Sequence, residues 1–179
     1  GVELSHRFAP IAVRERLALN KEQTISALQT LKKSYPEVFI ISTCNRLSIY
    51  AYGKSHNEIL AYFDQFGNYR QYLSILPDSE IAIRNLFSTA SGLESQAIGE
   101  HQITGQIRAA LVLGRVQKSI GPVLDELIRQ SIHTGKRVRL ETSIGKFSTS
   151  LATVGFELIK KHDFNISETT FLIIGTGNM

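Results

Sequence analysis

The chain has 179 residues, with 20 Lys+Arg against 16 Asp+Glu for a formal charge of +4, and 42% of its residues are hydrophobic. That apolar content supports a buried core and excludes a disordered chain, while the length suits one domain and part of another. A single cysteine, Cys44, excludes an internal disulfide framework and a cysteine-cluster metal site, and it fits a reducing compartment.

No apolar run approaches the ~18 residues of a membrane span, and no charged-then-apolar leader opens the chain. The sequence therefore reads as soluble and cytoplasmic, with no membrane partner and no metal. The modest positive charge permits nucleic acid as a partner without requiring it. Basic residues gather only in small groups, Lys32-Lys33, Lys136-Arg137 with Arg139, and Lys160-Lys161, the pattern of solvated helix ends.

In chain order, Val2 to Ser5 fits a short strand and Val13 to Leu19 a short helix. Asn20 is placed to cap a helix over Lys21 to Lys33, in which Ile25, Leu28 and Leu31 recur at helical spacing before Tyr35-Pro36. Val38 to Ile41 is a continuous apolar run of strand type. Leu47 to Tyr52 alternates, so the two read as a hairpin whose polar connection holds Cys44. A helix over Asn57 to Phe66 and a strand near Tyr69 to Ile75 follow. The order β-α-β-β-α-β predicts an α/β (α+β) class with a ferredoxin-like sheet and its helices on one face.

From Asp78 the pattern becomes helical. Ile81, Leu86, Phe87 and Ala90 mark one helix, and Ile98, Ile103, Ile107, Ala110 and Leu111 a longer one. Gly121-Pro122 opens a third, striped by Val123, Leu124, Leu127, Ile128 and Ile132. These predict an added helical layer beside the sheet. A further helix over Ser148 to His162 precedes a buried-type strand, Phe171 to Ile174, which runs into Gly175-Thr176-Gly177. A strand entering a glycine turn needs partner strands and a following helix, so the expectation is a domain over 1–145 and, over 146–179, the truncated start of a Rossmann-type domain.

Three segments could carry chemistry. Ser42-Thr43-Cys44-Asn45-Arg46 sets a thiol among polar groups and beside a guanidinium, which favours the nucleophilic thiolate; a small buried cysteine is the plainer alternative. In the stretch from Ser91 to Gln106, Glu100, His101, Gln102 and Gln106 crowd a helix start. Gln102 and Gln106 share one helix face there, as does any solvent-facing pair at that spacing. Gly175-Thr176-Gly177 fits a phosphate-binding turn but lacks the rest of that motif.

Taken together, Ser42-Thr43-Cys44-Asn45-Arg46, then Ser91-Gly92-Leu93-Glu94-Ser95 with Gly99-Glu100 and Gln102 to Gln106, then Lys136-Arg137-Val138-Arg139 with Glu141-Thr142 and Ile144, resemble the glutamyl-tRNA reductase family. Ser5-His6-Arg7-Phe8-Ala9-Pro10 with Arg14-Glu15 resembles that family's opening strand and loop. The likeness implies NADPH-dependent reduction of glutamyl-tRNA to glutamate-1-semialdehyde, the first step toward 5-aminolevulinate and tetrapyrroles. By it, Cys44 is the catalytic nucleophile that holds the glutamyl group as a thioester, and Arg46 binds the substrate carboxylate. Thr43, Asn45, Ser95, Glu100, His101, Gln102 and Gln106 match positions of the glutamate pocket, and Gly175, Thr176, Gly177, Asn178 and Met179 match the start of the NADPH phosphate loop. The implied partners are glutamyl-tRNA, the downstream aminomutase, and a second copy joined through a C-terminal dimerisation domain.

The sequence departs from the family at Ser48, where Glu is usual, and at Asn85, where His is usual; His101 is a candidate to take over part of that histidine's role. Two further readings follow from the same residues. An isolated domain without its hydride donor would act as a glutamyl-tRNA esterase, and a diverged relative would bind tRNA or a protein without catalysis.

Overall fold

The computed structural model describes residues 1–53, 55–145, 159–161, 169–170 and 172. The expected Rossmann start, including the terminal strand and Gly175 to Met179, lies outside the described residues, as does the 148–162 helix apart from Ile159, Lys160 and Lys161, which are helical.

Four strands form one antiparallel sheet: β1 (Val2–Ser5), β2 (Glu37–Ser42), β3 (Arg46–Tyr52) and β4 (Leu73–Ile75), in the order β2-β3-β1-β4. That is the order of the ferredoxin-like split βαβ unit expected from the chain's element sequence. The fourth strand is shorter than the expected Tyr69 to Ile75, because Arg70–Tyr72 forms a 3-10 turn and only the last three residues pair with β1.

Both faces of the sheet are covered, rather than one. Val38 and Ile40 of β2, Leu47 and Ile49 of β3, and Val2 and Leu4 of β1 share a core with α2 (Lys21–Leu31) and α3 (Asn57–Asp64). Phe39, Ile41 and Tyr50 point the other way. They pack with α4 (Ser79–Ala90), α5 (Gln102–Val116) and α6 (Pro122–Glu141), which are the expected helical layer. Covering both faces explains why Val38 to Ile41 is a continuous apolar run, since neither parity meets water. A short α1 (Ile11–Leu17) closes the loop between β1 and α2.

The helix ends follow local chemistry. Asn20 and Gln23 exchange side-chain bonds with each other's backbone N–H in a capping box that starts α2. The start of α6 is capped from a distance. Gly121 has no side chain to offer, and the Glu37 carboxylate of β2 accepts from the Val123 and Leu124 N–H groups at 3.2 and 2.7 Å. α5 begins at Gln102, four residues later than Ile98 suggested, because Gly99 has φ +86 and Ile98 is 60% exposed in the preceding loop.

β2 lies at the edge of the sheet, and its outward groups are occupied at both ends. The Val38 N–H donates to the Ser119 carbonyl at 2.7 Å, and Ser42 Oγ accepts from the Leu19 N–H and donates to the Leu19 carbonyl.

Candidate functional site

β2 ends at Ser42 and β3 begins at Arg46, which leaves Thr43, Cys44 and Asn45 to make the connection. Its shape is held from within by Thr43. The Thr43 N–H donates to the Arg46 carbonyl at 2.8 Å, and its hydroxyl oxygen accepts from the backbone N–H groups of Asn45 and Arg46 at 3.2 Å each. The His6 N–H donates to the Asn45 carbonyl at 3.1 Å, so β1 extends alongside the turn. Cys44 is exposed at the tip, which removes the buried-cysteine alternative.

Two arginines brace this turn from beneath. Arg14, 8% exposed, donates from Nη1 to the Cys44 carbonyl at 3.0 Å and to Asn45 Oδ1 at 2.8 Å, and from Nε to the Ala9 carbonyl at 3.2 Å. Arg46 is 3% exposed, donates to Thr89 Oγ1 at 2.5 Å and to the Glu94 carbonyl, and lies 3.9 Å from Glu3. Arg46 thus joins the turn to α4 and to the loop that follows it. Arg7 holds the same loop from outside, through a 2.7 Å ion pair with Glu94 and a hydrogen bond to the Leu93 carbonyl.

That loop, between α4 and α5, closes on itself at two glycines. The Gly99 N–H donates to the Gly92 carbonyl at 3.0 Å, and both residues have positive φ, +78 for Gly92 and +86 for Gly99. A Cβ on Gly92 would come within 3.1 Å of Gly99 Cα, so only glycine suits this crossing. The loop carries Ser95 and Glu100 toward the cysteine turn.

A small cleft results, walled by Thr43, Cys44, Asn45, Arg46, Ser95, Glu100, Ile103 and Gln106. Seven of the residues singled out from the sequence are therefore brought together. His101 and Gln102 are not among its walls; both are exposed at the start of α5. Of the two amides expected to act together, Gln106 alone reaches the cleft. Asn85 accepts a 2.5 Å hydrogen bond from the buried Tyr50 hydroxyl, and Ser48 is fully buried in β3, so neither position opens onto the cleft. Sequence reasoning passed over Arg14 as a site residue, and Glu3, Thr89 and Glu94 as the partners of the braces. The available signal was the charged Glu3 inside a strand that is otherwise Val, Leu and Ser. On the far side of Gln106, a separate groove of about 930 Å³ runs between α2 and α5 over the β2 edge.

The electrostatics of the site are set by its arginines. His6 is held below its ordinary pKa of 6.5 by burial first, then by Arg46, Arg14 and Arg7, with Glu3 opposing. Tyr50 is pushed up by burial, with the Glu3 carboxylate adding to the shift. Among the described residues no group of His, Cys, Asp and Glu could hold a metal ion.

An antiparallel α+β domain that presents one exposed thiol on a tight, arginine-braced turn, within a polar cleft, defines a cysteine-centred site on a two-faced sheet. The family profile described as glutamyl-tRNAGlu reductase, N-terminal domain, matches residues 2–142, and the chain belongs to this family. It is 40% identical to a Synechocystis glutamyl-tRNA reductase over 190 residues, covering 99% of this chain and 44% of that protein. It is 41% identical to the glutamyl-tRNA reductase of Rippkaea orientalis, again over 99% of this chain and 44% of the relative. The Priestia megaterium enzyme is 35% identical, with 100% and 42% covered. Among solved structures, the glutamyl-tRNA reductase from Methanopyrus kandleri shares the fold with a TM-score of 0.68 at 24% identity, over 89% of this chain and 39% of that one. The chain spans less than half the length of these relatives. Among the described residues, no helix is long and apolar enough to cross a membrane.

Proposed function

We propose that this chain is the acyl-accepting part of a glutamyl-tRNA reductase, in which Cys44 takes the glutamyl group from glutamyl-tRNA. The observation that carries this reading is the exposed Cys44 thiol on its braced turn, walled by Arg46, Ser95, Glu100 and Gln106. In the step proposed, the thiolate attacks the ester carbonyl, the C–S bond forms, and the C–O bond to the terminal ribose breaks. The tRNA leaves as its free hydroxyl after taking a proton. Thiolate suits this step because it is the stronger nucleophile and the thioester stays activated.

The residues divide the remaining work. Thr43 and Arg14 fix the backbone of the turn that places Cys44 in the cleft wall. Arg46 is the arginine among the described residues of the cleft wall, and in this reading the substrate's side-chain carboxylate meets it there. Ser95, Glu100 and Gln106 offer polar atoms to the amino group and the carbonyl oxygen. NADPH, when bound, supplies the hydride that converts the thioester to glutamate-1-semialdehyde and releases Cys44. The phosphate loop at Gly175 to Met179, the dimerisation partner and the aminomutase partner belong to the same reading, and so do the division at residue 145 and the cytoplasmic setting. The roles of His101 and Gln102 at the glutamate pocket are also part of this reading, as what the family likeness implies.

Intact mass spectrometry after mixing with glutamyl-tRNA tests the reading. The expected result is a single glutamyl adduct on the wild-type chain, absent in Cys44→Ser. No adduct on either protein would sink it. Hydrolytic turnover of the adduct without NADPH would instead favour the esterase reading.

A further inference from the structure

Glu3 stands in the middle of β1 at 2% exposure, in a strand with no other charge. A carboxylate buried this deeply is unfavourable unless a cation neutralises it. The cation is Arg46, itself 3% exposed, whose Nη1 lies 3.9 Å from Glu3 Oε2. That separation is an ion pair but not a hydrogen bond, and Oε2 has no hydrogen-bond partner among the described residues. Directly opposite Glu3 in the β1–β3 register is Ser48, fully buried, whose Oγ also lacks a partner. The hydrogen bonds of the guanidinium run elsewhere, to Thr89 on α4 and to the Glu94 carbonyl of the loop.

We propose that Glu3 is a positioning residue for Arg46: its carboxylate is the buried counter-charge that keeps the guanidinium reaching α4 and the 92–99 loop, and so keeps the cleft around Cys44 assembled. Glu3 acts only through Arg46, since it is not part of the cleft wall. Its 3.9 Å spacing neutralises the cation without occupying the N–H groups that Thr89 and Glu94 need. Because Glu3 and Ser48 face each other across paired strands, the requirement is for a carboxylate in that gap and not for one on β1. A carboxylate at position 48 would serve the same guanidinium.

The test compares the full wild-type chain with Glu3→Gln, Glu3→Ser, and Glu3→Ser combined with Ser48→Glu. Glu3→Gln keeps the shape and removes only the charge. The first readout needs no substrate: hydrogen exchange at the Arg46 Nε proton, followed by NMR. The second is the rate of glutamyl adduct formation on Cys44, and this arm alone rests on the function proposed above. Exchange should speed up about tenfold in Glu3→Gln and Glu3→Ser, and the adduct rate should fall about tenfold, while the double variant returns both to within about threefold of wild type. Rescue by moving the carboxylate across the strand pair is something a packing role for Glu3 would not produce. Wild-type exchange in Glu3→Gln, or a double variant no better than Glu3→Ser, would overturn the proposal. If Glu3→Ser fails to fold, Glu3→Gln decides alone. If wild type forms no adduct, the reading of Cys44 fails and the exchange arm still decides the role of Glu3.

Discussion

Arg14 Nη1 donates to the backbone carbonyl of Cys44 at 3.0 Å, so the residue proposed as nucleophile is held by a side chain 30 positions earlier in the chain. Hydrogen bonds from a charged donor contribute about 1.5–3 kcal/mol each. Arg14→Ala should therefore slow adduct formation on Cys44 by about 10- to 100-fold, with Arg14→Lys recovering only part because it cannot reach Cys44, Asn45 and Ala9 together. Single-turnover mass spectrometry measures this. An unchanged rate in Arg14→Ala would show that Thr43 alone suffices to shape the turn.

The crossing of Gly92 and Gly99 makes a second expectation. Gly99→Ala places a Cβ 3.0 Å from the Ile144 carbonyl at a φ of +86, and the strain should cost about 1–3 kcal/mol. Urea unfolding should show that loss. Limited proteolysis should show faster cleavage near Ser95, because the loop closure and the Arg46 contact to Glu94 depend on the same geometry. Equal midpoints for the variant and wild type would mean that the loop tolerates a side chain there.

Glu37 supports a purely structural prediction. Its carboxylate serves the first two N–H groups of α6, and the Leu124 N–H has no water to turn to when that bond is lost. Glu37→Ala should lower unfolding stability by about 1–3 kcal/mol, and Glu37→Gln by less, since one amide oxygen can still accept. Circular dichroism during urea titration gives both numbers. Loss of adduct formation without loss of stability would be the unexpected result.

The pH dependence follows from His6. Its folded pKa lies below the ordinary 6.5, so the folded state favours the neutral ring and the unfolded state binds the extra proton. The stability linked to His6 is complete above about pH 6.5 and is lost as pH falls toward the depressed folded value. The thermal midpoint of His6→Gln should fall less between pH 7 and pH 5 than that of wild type. Parallel curves for the two proteins would remove His6 as the titrating group.

The fold was largely legible because its signals are local. The alternation in Leu47 to Tyr52, the apolar run Val38 to Ile41, and the Asn20 cap each depend on neighbours within a few residues, and each element formed where it was expected. Errors fell where a local pattern met a backbone constraint. Ile98 continues the apolar spacing of α5, but the positive φ of Gly99 keeps the helix, which starts at Gln102, from extending back to it. The cleft was legible as a set of residues, because Cys44 sits in a short polar connection and Ser95, Glu100 and Gln106 lie in one motif. What holds the set together was not legible. Arg14 with Cys44, Arg46 with Thr89, and Glu3 with Ser48 are separated by 30 to 45 positions; strand register sets Glu3 opposite Ser48, and the docking of α1 and α4 on the sheet brings Arg14 and Thr89 to their partners. The departure at Ser48 reads differently once that register is known, since a carboxylate faces it from the neighbouring strand.

The bonds at the two ends of β2 have a consequence for self-association. An open sheet border is a template on which another extended chain can stack through its main-chain groups. Here Ser119 occupies the Val38 N–H, and Leu19 engages the Ser42 hydroxyl, so an incoming strand would meet a blocked position at each end of a six-residue border. The opposite border, β4, is only three residues long. Variants that free either end of β2, such as Ser42→Ala, are where fibre-type aggregation of this domain should first be looked for.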